Sequence, residues 1–330
     1  MRLAIVGTGL IVQTLLPHIR DFGWEPVAIC ASKRSGEAAK TLAEQYRCPA
    51  VYTDYERMLS QVEADAVYLG VPNHLHFHMG RQALMAGWNV ILEKPITGSF
   101  REAERLAALA KEKGRFLYEA ITTLYQPDYA ALREQLNRIG TVKLVSCNFS
   151  QYSSRYDGFL RGETPPVFDP ARAGGAFMDL NLYNIHWLLG LFGAPDRAEY
   201  LPTLERGIDT SGVLLMAYPG FQAVSIASKS SSAPSQYRIQ GTRGYLEQNT
   251  PANECGQVTL CLKDGTREVF HTPTSHRMEM EFRAFAGQMK AGDLASCYAA
   301  LDHSLSVSKL MTQVRIAAGI KFPCDIPSDP

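Results

Sequence analysis

The stretch Leu3-Ala4-Ile5-Val6-Gly7-Thr8-Gly9 decides the fold class of this chain. Its four apolar residues predict a short buried strand, and the glycines follow where a strand turns into a helix, predicted over Leu10–Arg20. Gly7 permits a tight turn, and Gly9 lets the backbone approach a pyrophosphate. The stretch therefore predicts a dinucleotide-binding unit, with a glycine turn that binds nothing as the alternative. The candidate contacts are Gly7, Thr8, Gly9, Leu10 and Ile11.

Short apolar runs alternate with amphipathic segments up to about Ala120. This alternation predicts a parallel sheet with helices on both faces. The predicted strands are Leu3–Val6, Pro26–Ala31, Ala50–Tyr52, Ala66–Leu69, Asn89–Leu92 and Arg115–Tyr118. The later predicted helices are Gly36–Tyr46, Tyr55–Gln61, His76–Ala86 and Phe100–Lys113.

After Pro127 the pattern changes to consecutive strands with turn signals, such as Tyr218-Pro219-Gly220. We predict an α/β protein: a Rossmann domain over residues 1–120, with a doubly wound parallel sheet, and an α+β domain over 121–330 with a large open, mainly antiparallel sheet. The last helix can pack back on the first domain. The predicted strands are 141–151, 198–204, 211–218, 221–228, 237–240 and 258–263, and the predicted helices are 128–138, 180–191, 277–290 and 299–318.

The charge balance limits the classes of partner. Among 330 residues, 33 Lys and Arg offset 33 Asp and Glu, which argues against a nucleic-acid or anionic-membrane binder. We expect no signal peptide and no membrane span, because no apolar run is long enough. The seven scattered cysteines form no CxxC pair, which predicts reduced thiols in a cytoplasmic protein.

The end of the second predicted strand reads Cys30-Ala31-Ser32-Lys33-Arg34. A site that prefers NAD usually has a carboxylate here, which accepts from the ribose 2′-hydroxyl. Ser32, Lys33 and Arg34 instead offer a hydroxyl and two cations, which suit a 2′-phosphate. We therefore expect NADP to be preferred, with NAD possible and a solvated basic loop as the alternative.

Three further segments carry a family resemblance: Val71-Pro72-Asn73-His74-Leu75-His76, Glu93-Lys94-Pro95, and Gly174-Gly175-Ala176-Phe177-Met178-Asp179-Leu180-Asn181-Leu182-Tyr183. Together with Gly7-Thr8-Gly9, they resemble the Gfo/Idh/MocA oxidoreductase family, which includes glucose–fructose oxidoreductase, inositol dehydrogenases and dihydrodiol dehydrogenases. The resemblance extends over essentially the whole chain.

The resemblance implies hydride transfer between NAD(P) and a sugar, polyol or related alcohol. It places the family's catalytic lysine on Lys94, its aspartate on Asp179 and its catalytic Tyr or His on Tyr183. It places Pro72, Asn73 and His76 in the loop on the nucleotide side. Apart from the resemblance, we expect Glu93 to organise its loop or to contact the cofactor.

These residue types suit the reaction. Oxidation of a secondary alcohol requires a proton acceptor and a group that stabilises the developing alkoxide. Tyrosine has a pKa near about 10, which a neighbouring ammonium lowers. We therefore expect Lys94 to hold the substrate oxygen and lower the pKa of Tyr183, Tyr183 to relay the proton, and Asp179 to orient Lys94 or a substrate hydroxyl.

Some positions leave alternatives open. Val12 stands where the motif has a small residue, so we expect it to push the first helix outward. Asn181 stands where glycine is common, so either the backbone differs there or the side chain enters the pocket. Asp179 could instead be a helix N-cap. Pro95 could follow a cis peptide bond.

Histidines and the remaining aromatic residues are ambiguous. His74, His76 and His78 alternate, but a helix from His76 would not put them on one face, so we predict no metal site. Tyr125 and His186 are candidate substrate contacts, with a packed core position as the alternative for His186. The loop over 150–170 could line the pocket or an interface.

The sequence thus predicts an NAD(P)-dependent enzyme that transfers hydride to or from a hydroxyl or carbonyl group, without naming the substrate. One alternative is a catalytically silent NADP-binding regulator or sensor. Another is a transhydrogenase that never releases its cofactor. The open sheet predicts a homodimer or homotetramer.

Overall fold

The computed structural model describes residues 1–326 and divides into two units. The first unit comprises Met1–Ala120 and Met278–Leu305, and the second comprises Ile121–Arg277 and the described residues from Ser306 to 326. The predicted division placed residues 278–305 in the second domain, whereas in the structure they group with the first unit.

The first unit contains a six-stranded sheet in which every pair of neighbours is parallel, in the order β3-β2-β1-β4-β5-β6. This strand order is that of a dinucleotide-binding Rossmann sheet, and ligands bind such sheets at the carboxyl ends of β1 and β4, where the order reverses. The strands are β1 Arg2–Val6, β2 Glu25–Cys30, β3 Val51–Tyr52, β4 Ala66–Leu69, β5 Asn89–Glu93 and β6 Leu117–Ala120. The helices are α1 Leu10–Leu15, α2 Gly36–Gln45, α3 Tyr55–Gln61, α4 His76–Met85 and α5 Phe100–Lys113.

Helix α1 is shorter than predicted and ends at Leu15, five residues before Arg20. Pro17 explains the difference, because proline has no N–H to continue the helical hydrogen bonds, although Leu16 before it still has helical backbone. By contrast, α5 has the predicted bounds: Ser99 accepts from the backbone of Glu102, and Gly114 closes the helix in the left-handed conformation.

The first α-helix of the second unit is α6 Pro127–Gln135, and the unit contains an eight-stranded sheet in the order β14-β13-β12-β11-β7-β10-β9-β8. Among the pairs of neighbours in this sheet, only β7–β10 is parallel. The strands are β7 Val142–Ser150, β8 Arg197–Glu205, β9 Ile208–Tyr218, β10 Phe221–Ser228, β11 Gln236–Gly241, β12 Gly244–Gln248, β13 Val258–Leu262 and β14 Arg267–Phe270. The short helix α7 Tyr156–Leu160 and α8 Leu182–Phe192 lie between β7 and β8. The predicted fold class is confirmed.

Helix α8 is the centre of the second unit's core. Every residue from Leu182 to Leu189 is buried, so the helix has no polar outer face. Trp187 packs its ring 5.4 Å from that of Tyr237 in β11, and Tyr129 of α6 donates a 3.0 Å hydrogen bond to the Trp187 carbonyl. This packing fixes the segment that precedes α8.

Two helices near the end of the described chain are α9 Glu279–Ala291 and α10 Leu294–Ala317. Phe282 and Phe285 of α9 belong to the core of the first unit: Phe282 packs on Trp24 and Tyr68, and Phe285 stacks on Tyr118 at 4.3 Å. This aromatic packing explains why the segment groups with the first unit. Within residues 1–326, none of the helices combines the length and apolarity needed to cross a membrane.

Candidate active site

The loop after β1 has the backbone expected for a phosphate-binding turn. Gly7 adopts φ +115°, and an added β-carbon would lie 2.3 Å from the carbonyl oxygen of Gly70, so only glycine fits. A β-carbon on Gly9, the residue before α1, would meet no atom within 4 Å. The backbone from Gly9 to Ile11 is therefore open to a phosphate group.

Val12 is accommodated by a second glycine. Its side chain is fully buried, and a β-carbon on Gly70 would come within 2.7 Å of Val12 Cγ2. Gly70 follows β4, so the missing side chain there makes room for the branched residue in α1. The structure thus gives Val12 a packing partner that the motif alone does not predict.

Ser32, Lys33 and Arg34 follow β2 in an exposed turn. The hydroxyl of Ser32 donates to that of Ser35 at 3.3 Å, which holds the turn together. Two cations and a hydroxyl are grouped at the carboxyl end of β2, where a Rossmann sheet places the adenosine ribose. This donor set fits a 2′-phosphate.

The loops after β4 and β5 are joined by His76. The imidazole is fully buried, with Nδ1 2.8 Å from the Pro95 carbonyl and Nε2 2.9 Å from the Val71 carbonyl. Burial lowers the pKa of His76, while the two carbonyl groups act in the opposite direction. The ring therefore ties together the two predicted nucleotide-side loops, and Pro72 and Asn73 lie in the first of them.

Glu93 organises the position of Lys94. The Tyr68 hydroxyl donates to its carboxylate at 2.6 Å, and the Lys94 N–H donates to the other oxygen at 3.3 Å. The Lys94–Pro95 peptide bond is cis, and Lys94 is half-buried. The lysine thus follows β5 on a loop held by a buried carboxylate.

A π-helical turn, Phe177–Asn181, leads into α8 in the second unit. It begins after Gly175, which has φ +106° and where a β-carbon would lie 2.1 Å from an oxygen of Asp209. Asp209 of β9 accepts from the Phe177 N–H at 2.6 Å and from the Tyr200 hydroxyl at 2.8 Å. Gly175 thus makes room for a buried carboxylate that anchors the turn.

Burial raises the pKa of Asp209 to about 6, partly offset by the hydrogen bonds from Phe177 and Tyr200 and by the charge of Arg315. Sequence reasoning did not single out Asp209. It lies 32 residues from Phe177, and nothing in its local sequence distinguishes it from a surface carboxylate.

Asp179 lies within the π turn, so the alternative of a helix N-cap is wrong. Its carboxylate forms an ion pair with Lys229, which follows β10. Tyr183 lies four residues later in α8, is buried, and packs its ring 6.1 Å from that of Phe149. His186 is fully buried in the same helix. The motif thus brings a carboxylate and a phenol onto one helical segment, and Lys229 joins them without having been predicted.

The Asn181 side chain is bonded inside the second unit and does not enter a pocket. Its side-chain oxygen accepts from the hydroxyl of Ser225 in β10 and from the Asn184 amide at 3.4 Å, and the residue is fully buried. Of the two alternatives left open, entry into the pocket is therefore wrong. The side chain instead attaches the π turn to the sheet.

Tyr125 ends a short 3-10 turn, Thr122–Tyr125, and is half-buried. The hydroxyls of Thr122 and Thr123 anchor this turn on the carbonyls of Asn253 and Ala252, at 2.7 and 2.9 Å.

In the predicted pocket loop, residues between Ser154 and Val167 line a surface cavity of about 700 Å³. Its lining includes Arg155, Asp157, Arg161 and Glu163. Over residues 1–326, no group of three or more His, Cys, Asp or Glu is placed to hold a metal ion.

Comparison with known proteins assigns the family. Residues 1–120 match an oxidoreductase family with an NAD-binding Rossmann fold, and residues 129–247 match the GFO/IDH/MocA C-terminal domain. The chain belongs to the GFO/IDH/MocA family. The resemblance seen in the sequence motifs is confirmed.

Two curated relatives and one solved structure are informative. The NADP(+)-dependent scyllo-inositol 2-dehydrogenase IolU of Bacillus subtilis is 32% identical over 98% of this chain and 99% of its own. The trans-1,2-dihydrobenzene-1,2-diol dehydrogenase of Sus scrofa is 27% identical over 98% and 99%. The 3-ketoreductase KijD10 of Actinomadura kijaniata, solved with NADP and TDP-benzene, is 25% identical, covers 96% of this chain and 97% of its own, and has a TM-score of 0.84.

Proposed function

We propose that the protein is an NADP-dependent oxidoreductase that transfers hydride to or from a hydroxyl or carbonyl group of a sugar, polyol or cyclic diol. One arrangement of residues carries the proposal. The first unit has a Rossmann sheet with an open glycine loop, and Glu93 holds the loop that carries Lys94. The second unit holds Asp179 and Tyr183 on one helical segment. The dehydrogenase and ketoreductase relatives support it.

The cofactor-binding residues of the proposal follow the strand ends. Backbone N–H groups from Gly7 to Ile11 would hold the pyrophosphate, Thr8 included. Ser32, Lys33 and Arg34 would hold the 2′-phosphate of NADP, which makes NAD the weaker ligand. The loops with Pro72, Asn73, Glu93 and Lys94 would contact the nicotinamide side, and His76 would hold the two loops together.

A bound nicotinamide would supply the hydride chemistry, as the acceptor in the oxidation direction and as the donor in the reduction direction. In the oxidation direction, the hydroxyl proton would pass to the phenolate form of Tyr183, and the Lys94 ammonium would stabilise the negative charge that develops on the substrate oxygen. Asp179 orients the substrate hydroxyl or Lys94. Tyr125, which is half-buried, would complete the proposed substrate contacts, whereas the full burial of His186 favours the alternative of a packed core position.

The test is a turnover screen with NADP on scyllo-inositol, pentoses and cyclic diols, beside Lys94→Met and Tyr183→Phe. We expect turnover by the unaltered chain and a loss of about 10²- to 10⁴-fold in kcat for each variant. NADPH fluorescence titration should show unchanged cofactor affinity for Tyr183→Phe. Tight NADPH binding with no turnover on any compound would favour the silent regulator and contradict an enzyme. NADPH that co-purifies and never exchanges would favour the transhydrogenase.

We further propose that the protein is a homo-oligomer formed through the exposed face of the second unit's sheet. We also propose that it is located in the cytoplasm. Leu144, Leu201, Leu215 and Ile226 are each more than a third exposed on its strands. Apolar patches of this kind commonly mark protein interfaces. For the compartment, the support is that six cysteines are thiols: Cys30, Cys48, Cys147, Cys255, Cys261 and Cys297.

A further inference from the structure

Lys229 is a nearly buried ammonium whose partner is Asp179. The side chain is 8% exposed, against 30% for Asp179. Its position is fixed by its own backbone, because its N–H donates to Thr210 of β9 at 2.8 Å and its carbonyl accepts from Ser153 at 2.9 Å. The lysine therefore approaches Asp179 from a rigid strand end.

Asp179, and not Glu205, is the carboxylate bonded to Lys229. Glu205, a second carboxylate at this end of the sheet, accepts from the Tyr156 hydroxyl at 2.9 Å and the Thr210 hydroxyl at 2.5 Å. The ammonium is bonded instead to Oδ2 of Asp179. A buried charge that loses its partner is costly, so the pair forms a unit.

The pairing also fixes the direction of the carboxylate. Asp179 is held on one side by the π turn, which Asp209 anchors, and on the other by the bond from Lys229 to Oδ2. Since a carboxylate is planar, these two constraints set where its other oxygen points. The ammonium also favours the ionised form of the carboxylate.

We propose that Lys229 is a positioning residue for the reaction, which keeps Asp179 ionised and correctly oriented beside Tyr183 on the same helical segment. This inference rests on the proposed function. Lys229 acts through Asp179, so it is required for efficient turnover and contributes little to cofactor binding.

The test compares Lys229→Met, Lys229→Arg and Asp179→Asn in the full chain, with the exposed Lys263→Met as control. We expect Lys229→Met to lower kcat about 10- to 100-fold with the NADPH dissociation constant within about twofold of the unaltered chain. The acidic limb of kcat/KM should move to higher pH, because the carboxylate loses its cation. Lys229→Arg, which keeps the charge, should keep the acidic limb in place.

The double variant Lys229→Met/Asp179→Asn should be no slower than Asp179→Asn alone, since both remove the same function. A pH profile and kcat of Lys229→Met that match those of Lys263→Met would overturn the inference and leave the proposed function intact. So would a kcat loss with an unmoved acidic limb and additive effects, which indicate a structural role. An unaltered chain that binds NADPH but turns over no compound overturns both the proposed function and the positioning role.

Discussion

Cofactor choice is decided at the scale of single side chains. Lys33→Ala/Arg34→Ala should raise the dissociation constant of NADP by about 10²-fold, because each charge-assisted hydrogen bond contributes about 1.5–3 kcal/mol. The dissociation constant of NAD, which lacks the 2′-phosphate, should change by less than about threefold. Fluorescence titration with both reduced cofactors measures this, with Lys113→Ala at the end of α5 as control. Equal weakening of both cofactors would contradict the assignment.

Asp209 links pH to stability through a single buried carboxyl group. Its pKa is raised by burial to about 6 from the usual 3.8, so the folded chain holds the proton more tightly than the unfolded chain does. Its contribution to the free energy of unfolding is therefore present at low pH and falls as the pH rises from about 4 to about 6.

Asp209→Asn does not titrate and keeps an oxygen to accept from Phe177 and Tyr200. Between pH 4 and pH 7, the free energy of unfolding of the variant should rise by about 2–3 kcal/mol relative to that of the unaltered chain. Urea denaturation at several pH values measures the difference. A difference that does not change with pH would show that Asp209 titrates normally.

At the scale of elements, His76 connects two loops that carry different motifs. His76→Ala removes its contacts with the Val71 and Pro95 carbonyls, so both loops should loosen. We expect the NADPH dissociation constant to rise about tenfold and the free energy of unfolding to fall by about 2–3 kcal/mol. His78→Ala provides the matched control, because His78 lies in the same helix and is exposed. Unchanged NADPH affinity in His76→Ala would contradict the proposed tie.

Regular elements with a strong local pattern were predictable from the sequence. Helix α5 has its predicted bounds because its apolar spacing, its Ser99 cap and Gly114 all agree. Strand β14 was missed because Arg267–Phe270 is short and alternates in burial at the sheet edge. Helix α1 was predicted too long because the effect of Pro17 was not weighed.

The candidate site was predictable only where residues follow one another in a motif. Asp179 and Tyr183 share a helical segment, so their spacing is visible in the sequence. Lys229 is bonded to Asp179, 50 residues away in the sequence, and Asp209 is bonded to Phe177, 32 residues away. Strand pairing brings these residues together, and no local sequence pattern encodes it. The side chains that hold the site in place therefore became visible only with the fold.

At the scale of the whole molecule, the eight-stranded sheet has one face covered by α8 and another that carries exposed apolar side chains. Leu215 is 43% exposed, Leu201 50% and Ile226 37%. The pairing of Leu215 with Val224, and of Val213 with Ile226 and Leu201, puts these side chains on one face. A two-fold axis through this face would let a second copy cover it with the same residues.

Leu215→Glu should therefore convert the assembly to smaller species, because the substitution introduces a charge on each copy at an interface that excludes water. Light scattering after size exclusion should give a multiple of the 36.5 kDa chain mass for the unaltered protein and a shift toward 36.5 kDa for the variant. Leu160→Glu controls for the charge, since Leu160 is 60% exposed in α7, outside the sheet. An unaltered chain that elutes as a monomer, or a Leu215→Glu variant that keeps the full assembly, would place the interface elsewhere. Retained NADPH binding by the variant would show that the first unit is still folded.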